Sequence, residues 1–513
     1  MPALSKDSLV VVIGAGAMGA GIAQIAAVAG HPVRLFDTRP GAALAAIDGI
    51  AKTLTKLAEK GKMPLEAANH AASRLVAMNA LSDAAGAALV VEAIVEDLAA
   101  KQGLFAELAA IVGDACILAT NTSSISVTAI AKGIPAPQRV VGMHFFNPAP
   151  LMALVEVVSG LATAPAIAET VFATAAAWGK VPVHAKSSPG FIVNRVARPY
   201  YAEGLRLLQE GAATPATIDA LLREAGGFRM GPFELMDLIG HDVNFAVTRS
   251  VFDAYFNDPR FLPSLIQQEL VAAGRLGRKS GQGFYRYGET PETPEAETLP
   301  AGPTPAEVRI LGDLGPARGL ADRFVAAGIK VVEEGMIPRF PHGAIAVGDV
   351  FLALSDGRSA TARSAETWGS ALVLFDLALD YASCKRIGLA CADQTMESND
   401  SAIAVAAGLF QAAGIAVSQL DDIPGLAVLR TVAMLANEAA DAVNQGVCSA
   451  ADADMAMMKG VNYPLGPLAW ADRIGIHRVA DVLTHLAAHY GEDRYRVSPL
   501  IRRKVWSGKG FHD

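Results

Sequence analysis

The sequence predicts an α/β domain on a mostly parallel sheet, followed by an all-α domain and then by a weaker copy of the pair. Three observations carry this. The N-terminal stretch "LVVVIGAGAMGAGIAQIAAVAGHPVRLFD" passes from a β-branched run through a glycine-spaced turn into an Ala-rich helix and a second strand. After Asn194 strand patterns give way to helical periodicity over 200–208 and 218–224. Pro189-Gly190-Phe191 matches Pro424-Gly425-Leu426 at a spacing of 235 residues, and the same spacing pairs Gly231 with Gly466, Asp237 with Asp472, Gly240 with Gly475 and Tyr255 with Tyr490.

With 513 residues the chain exceeds one ordinary core, so two to four domains are expected. Hydrophobic residues make up 52% and charged residues 18%, the balance of a well-buried enzyme. A net charge of −8 offers no basic field to a phosphate backbone, so nucleic acid is not an expected partner. Apolar runs are short and broken by Gly, Pro or charge, and no membrane partner is expected. Cys116, Cys384, Cys391 and Cys448 lack metal-type spacing, and the first strand follows the N-terminus closely with no leader pattern. A reduced, cytoplasmic setting is the expectation.

The first element is Val10–Ile13, a continuous β-branched run suited to a central strand. Gly14, Gly16 and Gly19 follow in G-x-G-x-x-G spacing, with Ala17 and Met18 opening the helix. Gly14 serves the tight turn, Gly16 the approach of a pyrophosphate, and Gly19 close packing of helix on strand. The second strand, Val33–Phe36, closes on Asp37, where a carboxylate can hold adenosine ribose hydroxyls. In this order the pieces predict a Rossmann-type dinucleotide site, and Asp37 would repel a 2′-phosphate, favouring NAD over NADP, although Arg39 stands nearby.

Further strands are expected at 88–91, ending in acids, and at 116–119, delivering Asn121 and Ser123 at the edge where such sheets bind ligands. Thr122, Ser123 and Ser124 could equally cap the next helix. Residues 140–144 and 151–158 read as a strand pair joined by Asn147-Pro148-Ala149-Pro150. If antiparallel, it brings His144 and Glu156 together. His144 could be a core histidine, a metal ligand or a base. Glu156, inside "LMALVEVV", needs a polar partner to be buried at all, and imidazole is the nearest candidate. A carboxylate on one ring nitrogen would leave the other free to accept a proton from an alcohol undergoing oxidation.

The ordered set "VIGAGAMGAGIA", "VVEAIVED", "NTSS", "GMHFFNP", "LVEVV" and "PGFIVNR" resembles the NAD-dependent L-3-hydroxyacyl-CoA dehydrogenases over about residues 8–287. The resemblance implies that His144 is the catalytic base and Glu156 its partner, that Ser123 and Asn194 hold the reacting oxygen, and that an acyl-CoA is the substrate. It also implies that Glu96, Lys101, Asn121, Ser123 and Asn147 line the cofactor and that Lys60 meets the coenzyme A phosphates, though an exposed helix lysine is equally a solvated one. Shorter relatives in this family dimerise through the helical domain. The long duplicated form resembles bacterial enzymes of phenylacetate or hydroxybutyrate pathways, with 3-hydroxybutyryl-CoA and 3-hydroxyadipyl-CoA both open as substrates.

The expected layout is a Rossmann domain at 1–187, a helical domain at 188–288, a Pro/Glu/Thr-rich linker at 289–305, a degenerate Rossmann-like domain at 306–422 and a second helical domain at 423–513. In the copy Gly14 corresponds to Gly312, while Gly16, Gly19 and Asp37 become Leu314, Ala317 and Gly335, Asn194 becomes Leu429, and no H-F-F-N-P follows. One active site per chain is expected, in a monomer with an internal pseudo-dimer or in a homodimer. A dehydrogenase of a free hydroxy acid or sugar acid, and a CoA- or NAD-binding regulatory protein, are the alternatives.

Overall fold

Residues 1–288, 291, 294–366, 371–392 and 396–513 are described by the computed structural model, the side chains of 396–400 excepted. Residues 289, 290, 292 and 293 of the expected linker lie outside the described residues. The chain forms two compact units, Met1–Arg195 with Gln445–Val461, and Val196–Asn444 with Asn462–Asp513.

The first unit holds strands β1 (Val10–Ile13), β2 (Val33–Phe36), β3 (Leu75–Ala77), β4 (Leu89–Glu92), β5 (Ile117–Thr120), β6 (Val140–Phe145), β7 (Leu154–Ser159) and β8 (Val181–Lys186) in the order β3-β2-β1-β4-β5-β6-β7-β8. All neighbours are parallel except β6 and β7, which are antiparallel. Helices α1 (Ala17–Ala29), α2 (Ala42–Glu59), α3 (Leu65–Ser73), α4 (Leu98–Ile111), α5 (Val127–Ile130) and α6 (Pro165–Ala177) connect them. β1 is buried on both faces, as its unbroken Val/Ile run requires. The strands at β4 and β5 each run one residue later than expected, carrying Glu92 and Thr120 into the sheet. β7 begins three residues later than its apolar run, because the N–H groups of Leu151 and Met152 donate back to the Pro148 carbonyl as a turn.

The short α7 (Val193–Val196) leads into the second unit, whose helices are α8 (Arg198–Gln209), α9 (Pro215–Glu224), α10 (Pro232–Ile239), α11 (His241–Ala254) and α12 (Leu265–Ala272), then α13 (Gly319–Ala326), α14 (Ala360–Glu366) and α15 (Met396–Ala412). Its sheet has β9 (Glu307–Leu311), β10 (Lys330–Glu334), β11 (Ala344–Val347), β12 (Val350–Leu354), β13 (Ala371–Phe375), β14 (Arg386–Cys391) and β15 (Ala416–Gln419) in the order β10-β9-β11-β12-β13-β14-β15. From Glu297 the linker lies down on this sheet: Leu299 N donates to Val417 O, and the Ser418 hydroxyl donates to Glu297 O. The second helical repeat comprises α16 (Val428–Asn444), α17 (Ala450–Gly460), α18 (Pro467–Ile474), α19 (Ile476–Tyr490) and α20 (Pro499–Ser507). α16 packs against α8, where the fully buried Arg430 guanidinium holds Glu203 and Glu210.

The copied half retains more than its sequence suggested. β14 pairs in parallel with β15 as β7 does with β8, and Gly388 faces Ser418 as Glu156 faces Val183. His144 stands opposite Glu156, and Asp376, just past β13, donates its N–H to Gly388 O. The strand pair therefore has a counterpart after all, with Asp376 in the place of His144 and Gly388 in that of Glu156. Asp376 accepts from the N–H groups of Ala427, Val428 and Leu429 at the start of α16. Full burial pushes its carboxyl up to about 6, against the pull of those donors.

The expected second helical domain is divided. α9 packs on β14 in the second unit, but its equivalent α17 packs on β7 and β8 in the first. Lys186 N donates to Val447 O at 2.8 Å, and Arg195 Nη1 to Gln445 Oε1 at 2.9 Å. Gly460 makes the approach of α17 possible, since a Cβ there would fall 2.6 Å from Leu154 Cδ2 and 3.1 Å from Val193 Cγ2. Gly460→Val is expected to cost about 1–3 kcal/mol by overpacking. By contrast Gly49→Ala in α2, where an added Cβ meets nothing within 4 Å, is expected to stabilise by about 0.4–1 kcal/mol. Denaturant unfolding of both variants reads the two signs.

Candidate active site

The glycine-spaced turn has the geometry its spacing implies. Gly14 has φ +104°, and a Cβ on it would meet Ala93 O at 2.4 Å; a Cβ on Gly19 would lie 1.8 Å from Gly14 O. At Gly16 an added Cβ meets nothing within 4 Å, so the backbone there is open to approach. Gly16 caps α1 without a side-chain hydrogen bond, leaving the first N–H groups, those of Ala17 and Met18 among them, without intrahelical acceptors. Beside the turn lies a cavity of about 690 Å³, lined by Gly14, Gly16, Asp37, Arg39, Ile94 and Leu104. Open donors at a helix N-terminus, an acid and apolar walls fit a dinucleotide.

Asp37 is doubly engaged: Oδ2 accepts from Ala15 N at 2.8 Å, and Arg39 lays its guanidinium along the carboxylate with Nε on Oδ1 at 2.9 Å and Nη2 on Oδ2 at 3.0 Å. The hydrogen bonds from Arg39 hold the Asp37 carboxyl well below the usual carboxylate range. Arg39, the residue that left NADP open, is thus occupied by Asp37.

The antiparallel register of β6 and β7 places His144 directly across from Glu156. Nδ1 and Oε2 lie 2.6 Å apart, with His144 5% exposed and Glu156 fully buried. The other carboxylate oxygen accepts from Ile192 N at 3.0 Å and Val193 N at 2.9 Å, at the head of the turn of helix that carries Asn194. Three donors therefore satisfy the acid that looked unaccountable in an apolar strand. With Nδ1 engaged by Glu156, Nε2 is the ring nitrogen that the carboxylate leaves free. Phe146 and Phe191 flank the imidazole at ring-centroid distances of 4.5 and 5.8 Å.

The serine loop after β5 is organised by Glu96. Its Oε1 accepts from the Thr122 hydroxyl at 2.6 Å, from the N–H groups of Ser123 and Ser124 at 2.9 and 3.0 Å, and from the Ser123 hydroxyl at 3.3 Å. Burial opposes the charge of Glu96, but the Thr122 hydroxyl and the Lys101 ammonium overcome it and bring its pKa down to about 2. Asn194 Nδ2 donates to Ser123 O at 3.4 Å, so Ser123 and Asn194 are neighbours. Asn121 Oδ1 accepts from Phe145 N at 2.8 Å and locks β5 to the residue after His144. Asn147 is exposed in the turn beyond β6.

Lys101, expected to line the cofactor, is 1% exposed, its ammonium 2.6 Å from Glu92 Oε1 and 3.2 Å from Glu96 Oε2, so it is turned inward beneath Glu96. Lys60 is exposed at the C-terminal cap of α2, with no hydrogen bond tying it to the His144 cluster. Sequence reasoning passed over Glu92, which also accepts from the Thr120 hydroxyl at 2.7 Å. An acid ending an apolar strand, with a lysine nine residues on, was the available signal.

The chain resembles known proteins along nearly its whole length. The domain family "3-hydroxyacyl-CoA dehydrogenase, NAD binding domain" matches residues 9–188, and "3-hydroxyacyl-CoA dehydrogenase, C-terminal domain" matches 190–287 and again 425–510. A "3-hydroxybutyryl-CoA dehydrogenase reduced Rossmann-fold domain" matches 352–424. The chain is 44% identical over 506 residues, 98% of each protein, to the 3-hydroxyadipyl-CoA dehydrogenase of Escherichia coli K12. It is 40% identical over 284 residues, 54% of this chain and 90% of the other, to the mitochondrial hydroxyacyl-coenzyme A dehydrogenase of Sus scrofa. A crystal structure of 3-hydroxybutyryl-CoA dehydrogenase from E. coli K12 superposes with a TM-score of 0.88 at 43% identity, covering 98% of this chain and 100% of that one. The chain belongs to the 3-hydroxyacyl-CoA dehydrogenase family and is an NAD-dependent oxidoreductase.

Proposed function

We propose that the protein reversibly oxidises (S)-3-hydroxyacyl-CoA to 3-oxoacyl-CoA with His144 as base and Glu156 as its partner. The observation that carries this is the buried pair at 2.6 Å, whose carboxylate also receives two backbone N–H groups. Glu156 fixes the imidazole tautomer and stabilises the imidazolium that forms when Nε2 takes the hydroxyl proton. Ser123 and Asn194 position the substrate oxygen, and Asn121 and Asn147 border the cofactor side. Glu96 orders the serine loop, with Lys101 beneath it as a positioning residue. Gly14, Gly16, Ala17, Met18, Gly19 and Asp37 hold the cofactor, and Lys60 is assigned to the coenzyme A phosphates. Bound there, NAD supplies the acceptor for the hydride leaving C3. The two helical repeats of one chain stand in for the paired subunits of shorter relatives.

His144→Ala is expected to lower kcat about 10²–10⁴-fold, with NAD affinity nearly unchanged in a fluorescence titration. Glu156→Gln is expected to act in the same direction, because an amide turns an N–H toward either His144 or the helix start. Unaltered turnover in either variant would remove the dyad from the mechanism.

Asp37→Ala is expected to weaken NAD binding roughly 10–150-fold, the range of a lost hydrogen bond to a charged group. Because Arg39 is then released from its acid, the ratio of NAD to NADP affinity narrows. Parallel titrations with the two nucleotides measure it.

For the substrate we propose 3-hydroxyadipyl-CoA, after the full-length relative of that name, with 3-hydroxybutyryl-CoA, named for the full-length crystal structure of equal similarity, as the alternative. A panel of 3-hydroxyacyl-CoA thioesters differing in length and terminal charge is expected to give the higher kcat/KM for the six-carbon dicarboxylate. A preference for the four-carbon thioester would reverse the assignment, and turnover of free hydroxy acids would point to another substrate class.

A further inference from the structure

The second unit contains a cleft of about 460 Å³ where the copied half would have its catalytic centre. Its wall includes Leu429, the counterpart of Asn194, and the loop Ser355-Asp356 that follows β12 as Thr122-Ser123 follows β5. Alcohol oxidation is not available to it: Asp376 occupies the place of His144, with its carboxylate spent on α16. The cleft has instead acquired arginines. Arg358 pairs with Asp356 and Glu366, while Arg363 donates to Leu354 O at 2.7 Å. Arg478 reaches the cleft from α19, and Arg339 and His342 line it from the loop after β10.

Arg478 differs from the others. It is half-buried, yet its guanidinium has no hydrogen bond and no ion pair within 4 Å among the described residues. Burial lowers its pKa, and Asp313 and Asp481 favour its charge only through space. Its Nη2 closes over the degenerate glycine turn, 2.6 Å from where a Gly315 Cβ would be. A cation thus covers Gly315, the residue after Leu314, the counterpart of Gly16. The site is rigidly framed: Gly357 packs so tightly on α19 that a Cβ would fall 2.6 Å from Val482 O, and His485 Nδ1 lies 2.7 Å from Asp356 O.

We propose that this cleft is a second ligand site, in which Arg478 binds the carboxylate of a small aliphatic acid. A planar guanidinium with unspent donors in a recess is matched to a carboxylate in two-point contact. Leu429, Ile474 and Val482 supply an apolar wall for the aliphatic body, and the volume lies within the range of small-molecule sites. Asp356, Glu366 and Asp481 on the same walls oppose densely charged anions, which favours a carboxylate over a phosphate.

Calorimetric titration of the full-length protein saturated with NAD tests this, using adipate in one arm and inorganic phosphate in the other. One adipate is expected to bind per chain, with phosphate weaker. Arg478→Gln is expected to raise the adipate Kd at least tenfold and Arg478→Lys to raise it less, while both keep the parent kcat/KM for the acyl-CoA substrate, which also shows that they fold. Absence of adipate binding, tighter phosphate binding, an unchanged Kd in Arg478→Gln, or displacement of adipate by the acyl-CoA would each overturn the proposal. The last outcome would place the acid in the catalytic cleft.

Discussion

The carboxylate of Glu156 is the constraint on which the arrangement of the first unit's candidate site depends. One oxygen meets His144 across the only antiparallel pairing in that sheet, and the other gathers the N–H groups that start α7. A single charge therefore sets the imidazole, the helix start and, through the chain, Asn194. A buried carboxylate without such partners would cost several kcal/mol. With three donors it becomes the fixed point from which the other groups take their positions, and Phe146 and Phe191 flank the imidazole it holds.

The second half separates the two duties of that acid. Asp376 keeps the task of holding the helix that follows Pro424-Gly425, but it does so from the histidine's place in the strand pair, and at Gly388, in the acid's place, Leu420 and Leu221 close over the backbone. What persisted is the anchoring of a helix start by a buried carboxylate, which the packing of α16 requires. The imidazole is gone. The same division appears at the turn, where Gly312 survives while the open approach at Gly16 has no equivalent.

Much of the first unit was legible because its signals are local. β1 and β2 fall where their apolar runs begin and end, Gly14 and Gly19 have a steric reason and Gly16 an open approach, and the antiparallel pairing of β6 and β7, on which the meeting of His144 and Glu156 was conditional, is met. The inward turn of Lys101 was not legible, since a lysine on a helix looks the same whether its end meets water or Glu92. Asp376 was not legible either, since what survives at that position is strand register and not residue type. The placement of α17 on β7 lies further still from the sequence, for helical periodicity gives an apolar face but not the sheet that will cover it.

That placement bears on how the chain comes into being. Roughly 250 residues separate Arg195 from Gln445, yet both belong to one compact unit. At translation rates of about 5–20 residues per second, the N-terminal sheet emerges roughly 12–50 seconds before the helix that covers β7 and β8. Until then the strand bearing Glu156 has no lid on that side. The first unit is consequently among the last parts of the protein to be completed, although most of it is synthesised first, and its maturation waits on the second half of the chain.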